Sequence, residues 1–367
     1  MSNLLVNCIS FISQNGSRMS KLDKMEAELA QLTKQLAEFL SLPPTDRSTP
    51  GFAKIWRPIS RYRVQLRTAL QEQSSALSDP RYRDAKRSEI EQRVGYNAAH
   101  RRLRLWPQIE DMVNKQVTPE RKALMPQPSN YMEGAHNRYV NHLYSALHTL
   151  ALPSAAAMMN LMPDAHPDVA LPATHFEALM HAAYRICLAQ GRDAPPRFLD
   201  VGCGGGTKIW AALPFFPDAR GLENNPTQVK IGAAAMAKLN APADCIMEAD
   251  ARLFDDYSSY DVIYFYRPLK DSVGLTEMED QIMKQARPGT ILIAPYLGFS
   301  AEDDDIRCSK IAPSIYVAGV APYQTEKLRD RAELIGTEAP VHSSSTDAAL
   351  GYWRPLVEAS RRNGYAL

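Results

Sequence analysis

Arg197-Phe198-Leu199-Asp200-Val201-Gly202-Cys203-Gly204-Gly205-Gly206 is a short apolar run that ends in an acid and then breaks into four glycines within five positions. Phe198, Leu199 and Val201 suit a strand buried in a parallel sheet, and the glycines allow torsions that a Cβ would forbid. A backbone freed in this way can approach a ligand closely. Residues 207–213 follow with helical character, so the turn would aim the amides of a helix N-terminus at whatever the glycines hold. The pattern predicts strand, binding turn and helix, the opening unit of a Rossmann-like, doubly wound, mostly parallel α/β sheet with helices on both faces.

Several nucleotide-binding turns begin this way, and the spacing separates them. The dinucleotide fingerprint Gly-x-Gly-x-x-Gly needs its third glycine where this chain has Thr207. That disfavours a nicotinamide oxidoreductase. A phosphate loop of the Gly-x-x-x-x-Gly-Lys-Ser/Thr type is absent as well, because Lys208 lacks the spacing. What remains is Asp200-x-Gly202-x-Gly204-x-Gly206.

The following segments supply two more acids. Arg220-Gly-Leu-Glu223 reads as a second strand ending in a carboxylate, at about the distance after the first at which a βαβ unit presents an acid to ribose hydroxyls. Asn224-Asn225-Pro226 breaks it, and residues 227–239 form an Ala-rich helix stopped by Asn240-Ala-Pro242. Residues 244–250 alternate as a third strand ending at Asp250-Ala251. Tyr260-Asp-Val-Ile-Tyr-Phe-Tyr266 is β-branched and aromatic, a fourth strand that ends at Arg267-Pro268, and Thr290-Ile-Leu-Ile-Ala294 is a fifth after the turn Arg287-Pro-Gly289.

Taken in order from Arg197 to about Pro295, these elements resemble the class I S-adenosylmethionine-dependent methyltransferases, with Asp200 to Gly206 at the place of their motif I. The resemblance implies S-adenosylmethionine as cofactor, held by Asp200, Gly202, Cys203, Gly204, Glu223, Asn224, Asp250, Ala251 and Tyr266. Glu223 would meet the ribose, Asp250 the adenine amino group, and the Ala251 amide a ring nitrogen. It also implies an acceptor pocket at the end of the fourth strand, here Tyr266, Arg267 and Pro268. Many methylators of nucleic-acid or protein amines carry Asn/Asp-Pro-Pro-Tyr/Phe there, and this chain does not. Methylation of a base amine is therefore disfavoured, and a small molecule or a protein is the favoured acceptor. No catalytic residue is assigned, since displacement at an activated methyl mainly requires positioning. A noncatalytic adenosine-binding scaffold and an RNA methyltransferase that uses the basic front of the chain are the alternatives.

An all-α region precedes the sheet. Leu22, Leu29 and Leu36 form one heptad series and Met25, Leu32 and Phe39 another, so residues 20–40 predict a coiled-coil seam and a homodimer, or a helix packed on its own chain. Residues 41–52 look like a linker, and 54–150 are helical. The expected organisation is a tail and heptad helix over 1–45, a helical cap or interaction region over 46–172, and the sheet domain over 173–367. Met19 is a candidate start. Thr174-His-Phe-Glu177 predicts a capping box for the helix that leads into the first strand. Past Pro295 the pattern gives one strand within 311–320 and helices over 323–335 and 346–362.

The 367 residues carry a net charge of +1, which selects no partner, but its distribution is uneven. Residues 51–138 hold 17 Lys plus Arg against 9 Asp plus Glu, whereas 197–367 hold 18 against 23. Trp56, Tyr62, Tyr82, Tyr96 and Trp106 interleave with the front arginines, which fits either a solvated helix face or an arm for anions. The five cysteines are scattered, so neither a disulfide framework nor a zinc site is indicated, and a reducing cytoplasm is the default. His136, His142 and His148 fall on different helix faces and do not form a metal set. No stretch reaches the length of a membrane span.

Overall fold

The computed structural model describes residues 21–76, 87–125, 134–151, 171–192, 195–266, 268–296, 299, 307–338 and 347–367. The expectations that fall on Met19, on Tyr82 and on Arg267 lie outside the described residues. Two compact units emerge, one of the described residues within Met1–Thr118, Ser343–Arg362 and Ala366–Leu367, the other of those within Pro119–His342 and Asn363–Tyr365. The chain's last helices join the front helices, because their apolar faces are buried there rather than on the sheet.

In the first unit the helices are α1 (Lys21–Leu40), α2 (Thr49–Ala76), α3 (Arg87–Arg104) and α4 (Trp106–Val117), joined by α11 (Asp347–Leu350) and α12 (Arg354–Arg362). Leu22, Leu29, Leu36 and Leu40 are buried within this unit. These four leucines are covered within their own chain, the packing that residues 20–40 offered as the alternative to a second copy. Thr33 Oγ1 donates to the Tyr352 carbonyl at 2.6 Å, Gln116 Nε2 to Ser360 Oγ at 2.8 Å, and the Trp106 and Trp353 rings meet edge to face at 4.9 Å. Those contacts give the buried Thr33, Gln116 and Ser360 side chains a partner while the indoles fill the space between helices. The presumed linker is not extended: it holds a 3-10 turn at Pro44–Asp46 and the start of α2.

The second unit is built on a seven-stranded sheet, with β1 (Arg197–Val201), β2 (Asp218–Glu223), β3 (Ile246–Glu248), β4 (Val262–Phe265), β5 (Ile291–Ile293), β6 (Cys308–Ala312) and β7 (Ile315–Ala318). The order is β3-β2-β1-β4-β5-β7-β6. All pairs from β3 to β5 are parallel, and β7 runs antiparallel to both β5 and β6. This is the doubly wound Rossmann-like architecture expected, including an antiparallel end. Chain order reverses around β1, so a crevice opens outside the carboxyl ends of β1 and β4.

Period-two alternation sorts the side chains between two layers. Phe198, Val262, Tyr264, Ile291 and Ile293 join the core that holds Phe176, Leu179, Met180 and Ile186 of α6 (Ala173–Ala189). Leu199, Val201, Ile263, Phe265 and Leu292 join the opposite core with Met278 and Ile282 of α9 (Ser272–Gln285). Near-continuous burial along β1 and β4 is what a central parallel strand covered on both faces requires. The unit's other helices are α5 (Ala135–Ala151), α7 (Thr207–Ala212), α8 (Pro226–Lys238) and α10 (Pro322–Glu333), of which α7 and α8 contribute to the core that holds α6.

Three local expectations are corrected. The capping box at Thr174 does not form: α6 begins after Pro172, and Thr174 instead donates its N–H at 3.0 Å to Asn141 Oδ1 on α5. Residues 308–318 hold both strands of the antiparallel end, of which the sequence placed only one, because Pro313-Ser314 turns the chain, with Ser314 at φ 62°. The C-terminal helix is interrupted at Gly351, whose φ of 53° favours glycine, by a 3-10 turn over Gly351–Trp353. Among the described residues no helix is long and apolar enough to cross a membrane.

Candidate functional site

The glycine loop occupies the carboxyl end of β1 and is tied to the neighbouring strand. Gly202 N–H and Cys203 N–H both donate to the Leu222 carbonyl at 2.9 Å, and Gly206 N–H closes the turn on the Cys203 carbonyl at 2.9 Å. Gly202, Gly204 and Gly206 have φ of 77°, 53° and 78°, the left-handed region that side chains disfavour. Space is also short. A Cβ at Gly202 would fall on the Pro268 ring, 3.2 Å from its Cα, and one at Gly206 would lie 2.7 Å from Ile246 Cδ1. Loop, β4 end and β3 are therefore packed to a tolerance that only glycine meets.

Glu223, at the end of β2, holds the loop through its carboxylate. Oε2 accepts from Gly204 N–H at 2.9 Å and Oε1 from Asn225 N–H at 2.8 Å. An ionised carboxylate offers about four acceptor positions, so both oxygens keep capacity toward the crevice. Asn224 is exposed beside it. Asn225 is buried and caps α8, its Oδ1 accepting from Thr227 N–H at 2.9 Å, which fixes the turn that carries Glu223.

Asp250 and Ala251 lie in the turn after β3, linked to β2 by Ala249 N–H donating to the Glu223 carbonyl at 3.1 Å. Arg252 grips the Asp250 carboxylate, with its backbone N–H at 2.9 Å from Oδ1 and Nη2 at 2.6 Å from Oδ2. Arg252's side-chain hydrogen bond is the largest of the influences that hold the Asp250 carboxyl below its ordinary value. This partner was not foreseen, although acid and arginine stand two residues apart in the sequence. Tyr257 OH donates to the Ala251 carbonyl at 2.7 Å, and burial raises that phenol's pKa. The Ala251 N–H has no protein acceptor among the described residues. A donor left open in a pinned turn, beside an acid, matches the edge of a purine.

Asp200 is 3 % exposed and stands in register with Tyr264 of β4. Burial, and after it the Asp200 carboxylate, hold the Tyr264 phenol protonated well beyond neutrality. Asp200 is thus part of the sheet's interior below the loop. Cys203 turns inward as well: its thiol is buried, its N–H and carbonyl are both bonded within the chain, and Gly221 leaves room for its side chain. Its part is to shape the loop. At the end of β4, Tyr266 is half-buried and meets Tyr296, beyond β5, edge to face at 6.0 Å. Tyr296 was not singled out from sequence, since a lone tyrosine after a strand carries no spacing signal.

Helix α5 adds a second unforeseen wall. His148 Nδ1 lies 3.3 Å from Thr207 Oγ1 at the start of α7, and the Tyr144 and Trp210 rings are 5.9 Å apart. One of the three scattered histidines is therefore placed against the glycine-loop helix. Lys208 Nζ donates to the Leu171 carbonyl at 2.5 Å and lies over the Phe176 ring, tying the chain before α6 to the same helix.

No protein-family profile matches the chain, and no curated protein matches it. Solved structures do. A sugar N-methyltransferase from a Streptoalloteichus species is 25 % identical over 33 % of this chain and 49 % of its own, with a TM-score of 0.26. An S-adenosylmethionine-bound amino pentose methyltransferase from Micromonospora echinaspora is 24 % identical over 36 % of this chain and 56 % of its own, TM-score 0.28. An RNA methyltransferase from Salinibacter ruber, in complex with S-adenosyl-L-homocysteine, is 17 % identical over 36 % of this chain and 86 % of its own, TM-score 0.25. The match spans about half the length of the first two structures.

Proposed function

We propose that this chain is a class I S-adenosylmethionine-dependent methyltransferase. One observation carries the reading: the Asp200-x-Gly-x-Gly-x-Gly206 loop, the Glu223 carboxylate and the open Ala251 N–H stand side by side at the carboxyl ends of β1, β2 and β3, at the sheet's switch point. That is an acceptor for a vicinal diol next to a donor and an acid for an adenine edge, across a loop whose backbone is bare. The donor set fits the cofactor. Gly202, Gly204, Glu223, Asn224, Asp250, Ala251 and Tyr266 would hold it, with Asp200 and Cys203 supporting the loop from within. Pro268 and Tyr266 would border the acceptor.

When bound, the sulfonium supplies a methyl group already activated for displacement. The residues' work is positional. Glu223 fixes the sugar end through two oxygens that are themselves anchored by loop amides, and the Tyr266–Tyr296 pair walls the crevice with aromatic surface that excludes water. Holding an acceptor atom roughly 3 Å from the methyl carbon, in line, supplies most of the acceleration such a reaction needs. Thermal shift with S-adenosylmethionine, S-adenosylhomocysteine and NADH side by side tests the reading. Stabilisation by the first two and not by NADH is expected, and a release assay for the demethylated product on metabolite, protein and RNA panels then identifies the acceptor. Stabilisation by NADH alone would replace the proposal with a dinucleotide enzyme.

A further inference from the structure

A second concave site lies in the helical unit, and the cofactor reading leaves it unused. Helices α2 and α3 and the start of α4 enclose an open groove of about 930 Å³. Arg63 and Arg67 of α2 and Arg104 of α3 line it, with Leu103 on its floor and Tyr96 and His100 along one wall. The Tyr96 and His100 rings stack at 6.0 Å with planes 26° apart. Among the described residues no acidic side chain lines the groove. Arg63 reaches outward to Glu110 at 3.1 Å, whereas Arg67 and Arg104, both exposed, have no ion pair among the described residues.

Arginines usually decorate a helix as a solvated face beside acids that balance them. Here three line one depression, and the one acid paired with them among the described residues, Glu110, is not part of its lining. Guanidinium groups are planar forks suited to phosphate oxygens, and they also stack on flat rings. A stacked aromatic pair lining the same groove offers a platform for a base, a feature that an acidic peptide would leave unused. The excess of basic residues over 51–138 places the surrounding field with the same sign.

We propose that this groove binds single-stranded nucleic acid, with Arg67, Arg104 and Arg63 on consecutive phosphates and Tyr96–His100 under a base. The inference stands apart from the methyltransferase reading, since it uses none of the residues at the sheet. It is compatible with the absence of an amine-binding Asn/Asp-Pro-Pro motif, because binding a strand does not prescribe which atom, if any, is methylated.

Fluorescence anisotropy on the full chain tests it, using a labelled oligouridylate of about twelve nucleotides, the matching oligothymidylate and a duplex of the same length. Saturable binding of the single strands, weaker binding of the duplex, and a plot of log affinity against log salt with a slope of roughly −2 are expected for three phosphate contacts. The uridylate and thymidylate arms report whether the 2′-hydroxyl matters. Arg67→Glu/Arg104→Glu should lower affinity at least about tenfold and flatten the salt slope to a magnitude of less than about 1. Tyr96→Ala should lower affinity about fivefold or more with the slope unchanged. Lys34→Glu/Lys54→Glu, exposed elsewhere on the same unit, should change little. Circular dichroism and thermal midpoints confirm that each variant is folded. No saturable binding by the wild type, an equal loss in the two charge reversals, or binding to phosphatidylserine vesicles but not to oligonucleotides would overturn the proposal. A thermal shift with S-adenosylmethionine that succeeds while anisotropy fails, or the reverse, shows which of the two readings has fallen.

Discussion

Replacing Gly202 by alanine tests whether the loop is held as tightly as its geometry says. Two costs add at this position. With φ at 77°, a Cβ meets the left-handed penalty of about 1–2 kcal/mol. The same Cβ lands on the Pro268 ring, and overpacking of this kind costs about 1–3 kcal/mol because ring, loop or β4 end must move. Gly191 provides the control, since it has φ 68° but nothing within 4 Å of a built Cβ. Gly191→Ala should therefore show the backbone cost alone. Calorimetric unfolding of the sheet unit is expected to give a loss of about 2–5 kcal/mol for Gly202→Ala and about 1–2 kcal/mol for Gly191→Ala, the difference being the Pro268 contact. Displacing Pro268 also disturbs the crevice, so cofactor affinity should fall in Gly202→Ala and stay unchanged in Gly191→Ala. Equal losses in the two variants would refute the close approach of loop and strand end.

Gly204→Val is expected to abolish measurable cofactor binding by calorimetry while the sheet unit still folds, because the branched side chain enters the space left for the ligand at a residue of φ 53°. His181, whose pKa burial and then Arg185 push down to about 4, should make the sheet unit lose stability as pH falls. The unfolded chain takes up this proton near pH 6.5 and the folded one near 4, so the loss accumulates between those values, with a ceiling of about 3 kcal/mol, and His181→Gln should flatten the denaturation profile there. Leu29→Ala empties a site of zero exposure in the helical unit and should cost about 2–5 kcal/mol in that unit's unfolding; a negligible loss would favour an apolar seam reserved for a second chain.

Most of the sheet was legible because its signals are local. Strand β4 announces itself by β-branched and aromatic residues, β1 by an apolar run into glycines, and the end of β2 by the break at Asn224-Asn225-Pro226. What was missed depends on contacts distant in sequence. Thr174 has the residues of a capping box but gives its N–H to Asn141 on another helix. The heptads of α1 read either as a seam for a second chain or as a face packed on their own, and only the return of residues near 352 to the same helices shows what covers them in this chain. Arg252 on Asp250 lay within reach of the sequence, as an acid–arginine pair two residues apart, yet such pairs are common and seldom informative. Residue 267, the arginine assigned to the acceptor pocket, lies outside the described residues.

Titration of S-adenosylhomocysteine into the wild-type chain and into Glu223→Ala is the most direct test that β1, β2 and β3 together hold an adenosine cofactor. Glu223 accepts two loop amides and is assigned the ribose hydroxyls, so its removal should leave ligand donors unpaired and cost about 1–3 kcal/mol, a fall of roughly five- to 150-fold in affinity. Saturable one-to-one binding to the wild type with that loss in the variant is the predicted result. No binding to the wild type, or the same affinity in both, would contradict the account.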